Sequence, residues 1–353
     1  MSKQDLFQKE FTPTQISNAE IINQRRVING ADDGLMQVSP LKHPWAYEIF
    51  LDTIKNNWVP QEVPLQKDVE MWNGESLTDT ERQVYQRSLA FVSNLDGLQT
   101  NNLATNIIRH ITSPEIVLVI VRQAFEEALH VQSYAAIIEA LSLNPEDVYG
   151  LYRKDKILYE KNKQVLNAVS KISSPNFKTG TFETDQLFLE ACVGNIILEG
   201  IYFYSAFLIF YNFKKHNKMP GSAEMIQFIN RDEDMHVRIF VQITNAIKKE
   251  QPELWTEDFQ KQLVQNIKDA VQLEYKWGES CLGDGMFLGI RKSDLLSYLQ
   301  FIGDIRLESI GLPKVWNSKN PFPWPDEFTQ GHMIEVNFFE GTVREYQTGS
   351  LEW

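Results

Sequence analysis

The chain has 353 residues, of which 43% are hydrophobic and 12% aromatic, so it is long enough to bury a large core. Its formal net charge of −13 argues against a nucleic-acid groove, which needs clustered lysine and arginine side chains on one face. Cys192 and Cys281 form neither a disulfide framework nor a Cys-x-x-Cys metal motif. Together with a polar N-terminus that resembles no targeting peptide, these features predict a protein of the reducing cytoplasm without a nucleic-acid partner.

The N-terminal part of the chain is predicted to begin irregularly. In residues 1–40, glycines and a proline interrupt any helical periodicity, which indicates an irregular arm. An amphipathic helix then begins near Trp45 and ends before Pro60, because the residue before a proline disfavours the α conformation. We therefore expect Trp58 in a turn or an extended segment.

Two long apolar helices follow. The capping-box spacing of Thr78 and Glu81 predicts the start of the first, whose apolar pattern continues to Ile108. Ser113 and Pro114 predict the start of the second, as the N-cap and the first helical residue.

The remaining pattern is also helical. Further helices are predicted over about residues 153–171, 184–212, 223–249, 256–277 and 293–309. No region shows sustained alternation of apolar and polar residues, so the predicted fold class is all-α. We expect one helical domain over residues 41–315, followed by a proline-rich break and a flexible C-terminal tail over residues 316–353.

Residues 187–213 are apolar enough to raise the question of a membrane span. The longest uninterrupted apolar run, residues 200–211, is shorter than the ~18 residues that a span requires. Acidic and amide side chains interrupt the rest. We therefore predict a buried core helix and no membrane partner.

Two of the apolar helices carry the same metal-ligand spacing. Glu127 and His130 lie at positions i and i+3, and Glu233 and His236 repeat that relation. A carboxylate or imidazole in apolar surroundings must be paired, hydrogen-bonded or bound to a metal. The neighbouring Glu126 is expected to face outward.

An isolated acid precedes each of these motifs on the previous apolar helix. These acids are Asp96 and Glu199, although Asp96 on its own is equally compatible with a solvated face. Four helices that point four carboxylates and two imidazoles into one centre are typical of ferritin-like bundles with a dinuclear metal site in a four-helix core. The ligand types suit two divalent Fe or Mn ions and do not distinguish between them.

Tyr134 lies one helical turn beyond His130. A buried tyrosine is usually a core residue, yet this position also allows a metal centre to oxidise it. The tyrosyl radical would need a dry pocket. Phe203, Phe207 and Ile229 are candidates for its walls, and each is equally ordinary as a core residue.

Three motifs together resemble one known family, the small, radical-generating subunit of class I ribonucleotide reductases. The resemblance covers most of the chain, from Trp58 to the tail. Its motifs are residues 127–134 (EALHVQSY), residues 198–204 (LEGIYFY) and residues 231–236 (RDEDMH). The resemblance implies a ribonucleoside-diphosphate reductase activity shared with a separate large subunit, which would hold the nucleotide site and the reducing cysteines.

The resemblance also implies roles for the residues at the centre. One metal would be bound by Asp96, Glu127 and His130, and the other by Glu199, Glu233 and His236. Tyr134 matches the radical position, where a subgroup of the family has phenylalanine. Fe is the first expectation for the two divalent ions, with Mn or a mixed Mn/Fe centre as alternatives.

A radical-transfer route and a docking segment are implied as well. Trp58 and Asp232 match the inner members of the route, with Asp232 placed to hydrogen-bond His236 or Trp58, and Tyr346 matches the outer member. Without the resemblance, Trp58 is equally a core indole, and Asp232 a residue that orients a ligand histidine. The last residues resemble the segment that docks the large subunit, with Leu351 and Trp353 as its apolar contacts.

The family resemblance further implies a homodimer and admits an activating flavoprotein as a partner. Two rival functions stay open on the sequence alone. One is a ferritin-like di-metal oxygenase or desaturase that acts directly on a substrate, and the other is a metal-storage bundle.

Overall fold

The structure, a computed structural model, describes residues 16–32, 34–283 and 286–322. Helices dominate this part of the chain, which agrees with the predicted all-α class. The α-helices are α1 (Asn18–Gln24), α2 (Pro44–Lys55), α3 (Gln66–Asn73), α4 (Asp79–Asn102), α5 (Pro114–Ala140), α6 (Pro145–Tyr149), α7 (Lys156–Ser170), α8 (Phe182–Ile197), α9 (Tyr204–Lys215), α10 (Pro220–Glu250), α11 (Glu257–Leu282) and α12 (Lys292–Ser309). Two short strands, β1 (Met286–Phe287) and β2 (Ile290–Arg291), pair antiparallel.

The predicted helix starts are largely confirmed. The Thr78 hydroxyl accepts a hydrogen bond from the backbone N–H of Glu81, and the reciprocal bond completes a capping box at α4. Pro114 is the first residue of α5, as predicted. Ser113 occupies the N-cap position but makes no side-chain cap, because its hydroxyl is hydrogen-bonded to His43 at 2.9 Å instead.

The N-terminal arm is more regular than predicted. The short helix α1 lies within it, and a capping box formed by Ser17 and Glu20 fixes its start. Trp58 follows α2 in a non-helical segment, as expected before Pro60. The domain boundaries at residues 40 and 315 stay predictions.

Two π-helices interrupt the long apolar helices. We name them π1 (Leu103–Ile107), which follows α4, and π2 (Leu198–Tyr202), which lies between α8 and α9. The prediction of one continuous α-helix over residues 184–212 is therefore wrong, because π2 separates α8 from α9 there. A π-helix places one more residue in each hydrogen-bonded turn than an α-helix does, and such insertions are often found at functional sites.

The α8–π2–α9 segment lies in the centre of the molecule. Within the part of the chain that the structure describes, Phe182–Lys215 is the only helical stretch long and apolar enough to cross a membrane. Of the most apolar 18-residue part of this stretch, 94% is buried inside the structure. Packing in the protein core explains why this stretch is so apolar, which agrees with the prediction of a buried helix.

Four segments form the core that positions the site. Helix α4 packs on α5, α8 packs on α10, and α10 also contacts both α5 and π2. Helices α7, α11 and α12 pack around the α8–π2–α9 segment, while α2 lies against α5 and α10. This arrangement agrees with a four-helix core surrounded by flanking helices.

Candidate metal centre

The four core segments bring all six predicted ligands together. The side chains fall into two groups whose ligand atoms lie within 4.8 Å of one another, and all six residues are fully buried. The groups are Asp96, Glu127, His130 and Glu233, and Glu127, Glu199, Glu233 and His236. Glu127 and Glu233 belong to both groups, so these two carboxylates are the candidate ligands that the groups share.

Both imidazoles direct their Nδ1 atoms toward the carboxylates. His130 Nδ1 lies 3.1 Å from Glu233 Oε1 and 3.6 Å from Asp96 Oδ2. His236 Nδ1 lies 3.1 Å from Glu127 Oε1 and 3.4 Å from Glu199 Oε2. Because the i, i+3 spacing places each histidine on the same face as its glutamate, α5 and α10 present matching ligand pairs to each other.

The other nitrogen of each imidazole contacts a carboxylate from the opposite helix. His130 Nε2 lies 3.3 Å from Asp232 Oδ2, and His236 Nε2 lies 3.0 Å from Glu126 Oε2. A ligand histidine commonly donates its second N–H to a carboxylate, which fixes the tautomer and the ring orientation. In this crossed pairing, each supporting acid directly precedes a ligand glutamate in the sequence.

This pairing corrects one sequence prediction and decides between the two alternatives of another. Glu126 does not face outward: it is buried, and its carboxylate also accepts a hydrogen bond from Arg122 at 3.0 Å. Asp232 hydrogen-bonds Trp58 as predicted, but the histidine that it contacts is His130 and not His236. The guanidinium of Arg122 offsets the charge of the buried Glu126 carboxylate.

Two glutamines, which the sequence did not single out, hold the remaining oxygen of Glu199. The side-chain amides of Gln99 and Gln123 both donate to Glu199 Oε1, the latter at 3.1 Å. Gln99 is in turn linked to Asn195 at 2.9 Å. These amides leave Glu199 Oε2 directed at the centre without a hydrogen-bond partner among the described residues.

Without a metal, the centre is electrostatically unfavourable. Burial raises the pKa of Glu127 and of Glu233 well above the ordinary value, and the charge of Glu199 raises both further. Burial likewise raises the pKa of Asp96 to about 7. Burial alone would lower the pKa of His236, but the surrounding carboxylates outweigh it and raise that pKa well above its usual range.

The unpartnered atoms fit a dinuclear metal site. Across the described residues, the centre holds buried atoms that make no hydrogen bond, namely both oxygens of Asp96, both oxygens of Glu127, Glu199 Oε2, Glu233 Oε1 and His130 Nδ1. Buried polar atoms rarely lack partners in native proteins, so each such atom needs an explanation. Carboxylate oxygens and imidazole nitrogens are the ligands of Fe and Mn, and four carboxylates balance the charge of two divalent ions.

Tyr134 lies beside this cluster on α5 and is fully buried. Its hydroxyl makes no hydrogen bond within the part of the chain that the structure describes. Burial raises the pKa of Tyr134 well above its ordinary value, and the charge of Asp96 raises it further. The phenol is therefore neutral, shielded from bulk solvent and close to the carboxylate of the candidate ligand Asp96.

The three predicted pocket residues are all buried. Phe203 and Phe207 stack on each other with ring centroids 5.5 Å apart, and Ile229 lies on α10 one turn before Glu233. Their role as walls of a radical pocket around Tyr134 stays a prediction.

A continuous chain of contacts leads outward from His130. The indole N–H of Trp58 donates to Asp232 Oδ2 at 2.7 Å, and the same oxygen contacts His130. Trp58 is buried and stacks on Phe228 with centroids 5.2 Å apart. The predicted outer residues Tyr346, Leu351 and Trp353 lie outside the described residues.

We expect Asp96→Asn to stabilise the metal-free protein increasingly as the pH rises. The folded-state pKa of Asp96, about 7, exceeds its ordinary value of 3.8. Its protonated form therefore stabilises the fold below about pH 4, and that contribution is lost as the pH rises through 7. Asparagine cannot ionise, so the variant should gain roughly 2–4 kcal/mol over the wild type between pH 4 and pH 8.

Urea unfolding of both chelator-treated proteins across this pH range measures the difference. Asp258→Asn, at a side chain that is 95% exposed, is the control and should show no such trend. A pH-independent difference between Asp96→Asn and the wild type would contradict the electrostatic description of the centre.

The chain is similar in sequence to known proteins. The family model described as "Ribonucleotide reductase, small chain" matches residues 35–321. The ribonucleoside-diphosphate reductase subunit beta of Chlamydia pneumoniae is 39% identical over 334 residues, covering 94% of this chain and 96% of that protein. A protein of the same description from Treponema pallidum is 30% identical and covers 93% of this chain and 92% of its own length.

A solved structure shows the same architecture. The ribonucleotide reductase R2 subunit from Clostridium botulinum superposes with a TM-score of 0.79 at 31% identity. The match covers 86% of this chain and 94% of that one. With the buried cluster of carboxylates and histidines, this likeness confirms the predicted ferritin-like class.

Proposed function

The chain belongs to the small-chain family of ribonucleotide reductases, and from this premise we propose that it is the radical-generating subunit of a class I enzyme. Tyr134 would be oxidised to a tyrosyl radical, and its oxidising equivalent would pass to the large subunit, where ribonucleotides are reduced to deoxyribonucleotides. The observation that carries this proposal is a fully buried tyrosine one turn beyond a histidine of the metal cluster.

The ligand set supports two divalent ions per chain. The first would be held by Asp96, Glu127, His130 and Glu233, and the second by Glu127, Glu199, Glu233 and His236. Fe in both positions, Mn in both, or one of each agrees with the ligand types. When bound, these ions would supply the one-electron redox chemistry that the side chains lack, with O₂ or a reduced derivative of O₂ as the external oxidant that accepts the electrons.

The protein environment would keep the oxidised tyrosine intact. Loss of an electron from Tyr134 requires loss of the proton on Oη, and the Asp96 carboxylate is its charged neighbour and the proposed proton acceptor. A phenoxyl radical persists only away from water and reductants. The burial of Tyr134, together with the apolar side chains of Phe203, Phe207 and Ile229, supports that role.

The contacts of His130 support a route for the oxidising equivalent. Asp232 joins His130 to Trp58, so one buried hydrogen-bonded chain links a metal ligand to the indole. Tyr346 in the tail would continue the route toward the large subunit. In this proposal Trp58, Asp232 and Tyr346 are the radical-transfer residues.

The partner of the reaction is the large subunit, since the family acts as the small chain of a two-component reductase. We further infer a homodimer in the cytoplasm, with an activating flavoprotein as an additional partner and with neither nucleic acid nor membrane as one. Family membership favours this subunit function over an oxygenase, a desaturase or a metal-storage bundle.

Removal of residues 349–353 is expected to abolish reduction of ribonucleoside diphosphates in a two-subunit assay. The segment carries Leu351 and Trp353, whose apolar side chains would bind the large subunit. The metal cluster lies far away in the sequence, so the radical signal in electron paramagnetic resonance should persist. Leu351→Lys with Trp353→Lys should reproduce the loss at full chain length.

Two outcomes would count against the docking role. Full activity of the truncated chain would remove it, and a lost radical signal would show that truncation damages the metal centre. Binding of both variants to the immobilised large subunit separates weaker docking from slower chemistry.

A further inference from the structure

The segment that carries Glu199 has unusual backbone partners. In a π-helix the hydrogen bonds run from i to i+5, so groups at its ends lose their α-helical partners. At the last residue of π2, the ammonium group of Lys161 donates to the carbonyl of Tyr202 at 3.1 Å. The Glu274 carboxylate accepts a hydrogen bond from the backbone N–H of Ser205 at 3.0 Å.

A third charged side chain reaches the middle of π2. Arg306 Nε donates to the carbonyl of Gly200 at 3.0 Å. A Cβ atom at Gly200 would lie 2.6 Å from Arg306 Nε and 3.1 Å from a methyl group of Val237. Glycine therefore leaves the room that the guanidinium needs to reach the backbone next to Glu199.

Lys161 and Glu274 are paired with each other in the fully buried interior. The Lys161 ammonium lies 3.3 Å from the ring centroid of Phe91 and 4.9 Å from that of Trp277. Burying two charges is costly, and a well-packed apolar pair is often at least as stable as a buried ion pair. Stability alone therefore does not account for this pair.

The aromatic rings connect the pair with a second metal-binding helix. Phe91 lies on α4, the helix that carries Asp96, and its ring contacts Phe203 just after π2 with centroids 6.5 Å apart. Charged side chains from α7, α11 and α12 thus meet at and just after π2, where the backbone departs from the α-helix. Glu199 lies inside that segment.

We propose that Lys161, Glu274 and Arg306 are positioning residues that hold π2 in its π conformation and thereby fix Glu199 at the second metal position. This inference rests on the proposed function, since it assigns a purpose to the second ion's ligand. Glu199 belongs to only one of the two ligand groups. Loss of the π conformation should therefore lower the metal affinity of one site and leave the affinity of the other unchanged.

The experiment is a titration of the metal-free chain with Mn(II), followed by electron paramagnetic resonance of the free ion. The double variant Lys161→Met with Glu274→Met removes both charges and leaves neither unpaired. We expect it to fold with a melting temperature close to that of the wild type. The affinity of one of the two Mn(II) sites should fall at least tenfold, while the other stays unchanged.

Arg306→Met provides a second variant, because this side chain is only partly buried and its loss should not prevent folding. It should weaken the same single site, by a smaller factor. The matched control is Lys218→Met, which breaks a lysine–glutamate pair with Glu81 away from π2 and should change neither site.

The outcomes separate this inference from the proposed function. If the wild type binds two Mn(II) ions and both variants bind them equally well, the positioning role is wrong and the metal centre stands. Equal weakening of both sites with a lower melting temperature would show a general loss of stability and would also overturn the role. A wild type that binds neither Mn(II) nor, in a parallel titration, Fe(II) would overturn both proposals.

Discussion

Tyr134→Phe is expected to eliminate the radical signal and to lower nucleotide reduction to the background level, with metal binding unchanged. Phenylalanine keeps the ring but lacks the hydroxyl whose proton and electron are removed together in the proposed oxidation. The Tyr134 hydroxyl makes no hydrogen bond to the residues that the structure describes, so its removal should leave the fold intact. No other substitution tests the proposed function so directly.

The measurement is electron paramagnetic resonance of the metal-loaded protein, together with metal analysis of the same sample. Tyr85→Phe is a matched control, because Tyr85 is also fully buried on a core helix but is hydrogen-bonded to Ser222. Its radical signal should match that of the wild type. A radical signal that persists in Tyr134→Phe would assign the radical to another residue and refute this part of the proposal.

Glu127→Gln should have opposite effects on metal binding and on stability. Glu127 belongs to both candidate ligand groups, so its replacement removes a carboxylate that both groups share. Metal content should fall from about two ions per chain to less than one. In the metal-free protein, the same change removes a buried carboxylate near Glu199 and should stabilise the fold by about 1–3 kcal/mol.

Metal analysis and thermal unfolding of chelator-treated samples test these effects together. The matched control is Glu126→Gln, at the adjacent buried glutamate that supports His236 but belongs to neither ligand group. It should retain two ions, with affinity reduced by roughly 10–100-fold. Two ions retained in Glu127→Gln would refute the ligand assignment, and many ions in the wild type would revive the metal-storage alternative.

The candidate ligands could be predicted because their chemistry conflicts with their surroundings. An acid such as Glu199 in the most apolar helix is too costly to bury without a partner, so each carboxylate in such a position stands out. The repeated i, i+3 relation then indicated which histidines belong with which glutamates. All six predicted ligands lie together in the structure.

Glu126 could not be assigned correctly for a related reason. Glu126 lies on the buried half of α5, but the exposed half also carries apolar side chains such as Val121 and Phe125, so the hydrophobic pattern alone does not distinguish an inward from an outward face. The i, i+3 rule selects Glu127 as the partner of His130 and leaves Glu126 without a role. Its contact with His236 depends on how α10 packs against α5, which only the tertiary structure shows.

The π-helix and its charged neighbours were missed because helical periodicity assumes 3.6 residues per turn throughout. The burial of Lys161, in contrast, could have been predicted from the sequence. Together with Leu158 and Val165, this residue follows the i, i+3, i+7 spacing of a buried face, so a lysine occupies a core position of a helix that otherwise appears charged. Its partner Glu274 lies 113 residues away, beyond any local pattern.

The crossed hydrogen bonds at the metal centre join α5 and α10 into one unit. Glu126 supports the histidine of α10, Asp232 supports that of α5, and each is adjacent in sequence to a ligand. A single-residue insertion in α5 before Glu126, or in α10 before Asp232, would rotate the later side chains of that helix by about 100° and would separate the histidines from their supporting acids. Changes in chain length at these places are therefore expected to disrupt both halves of the centre at once.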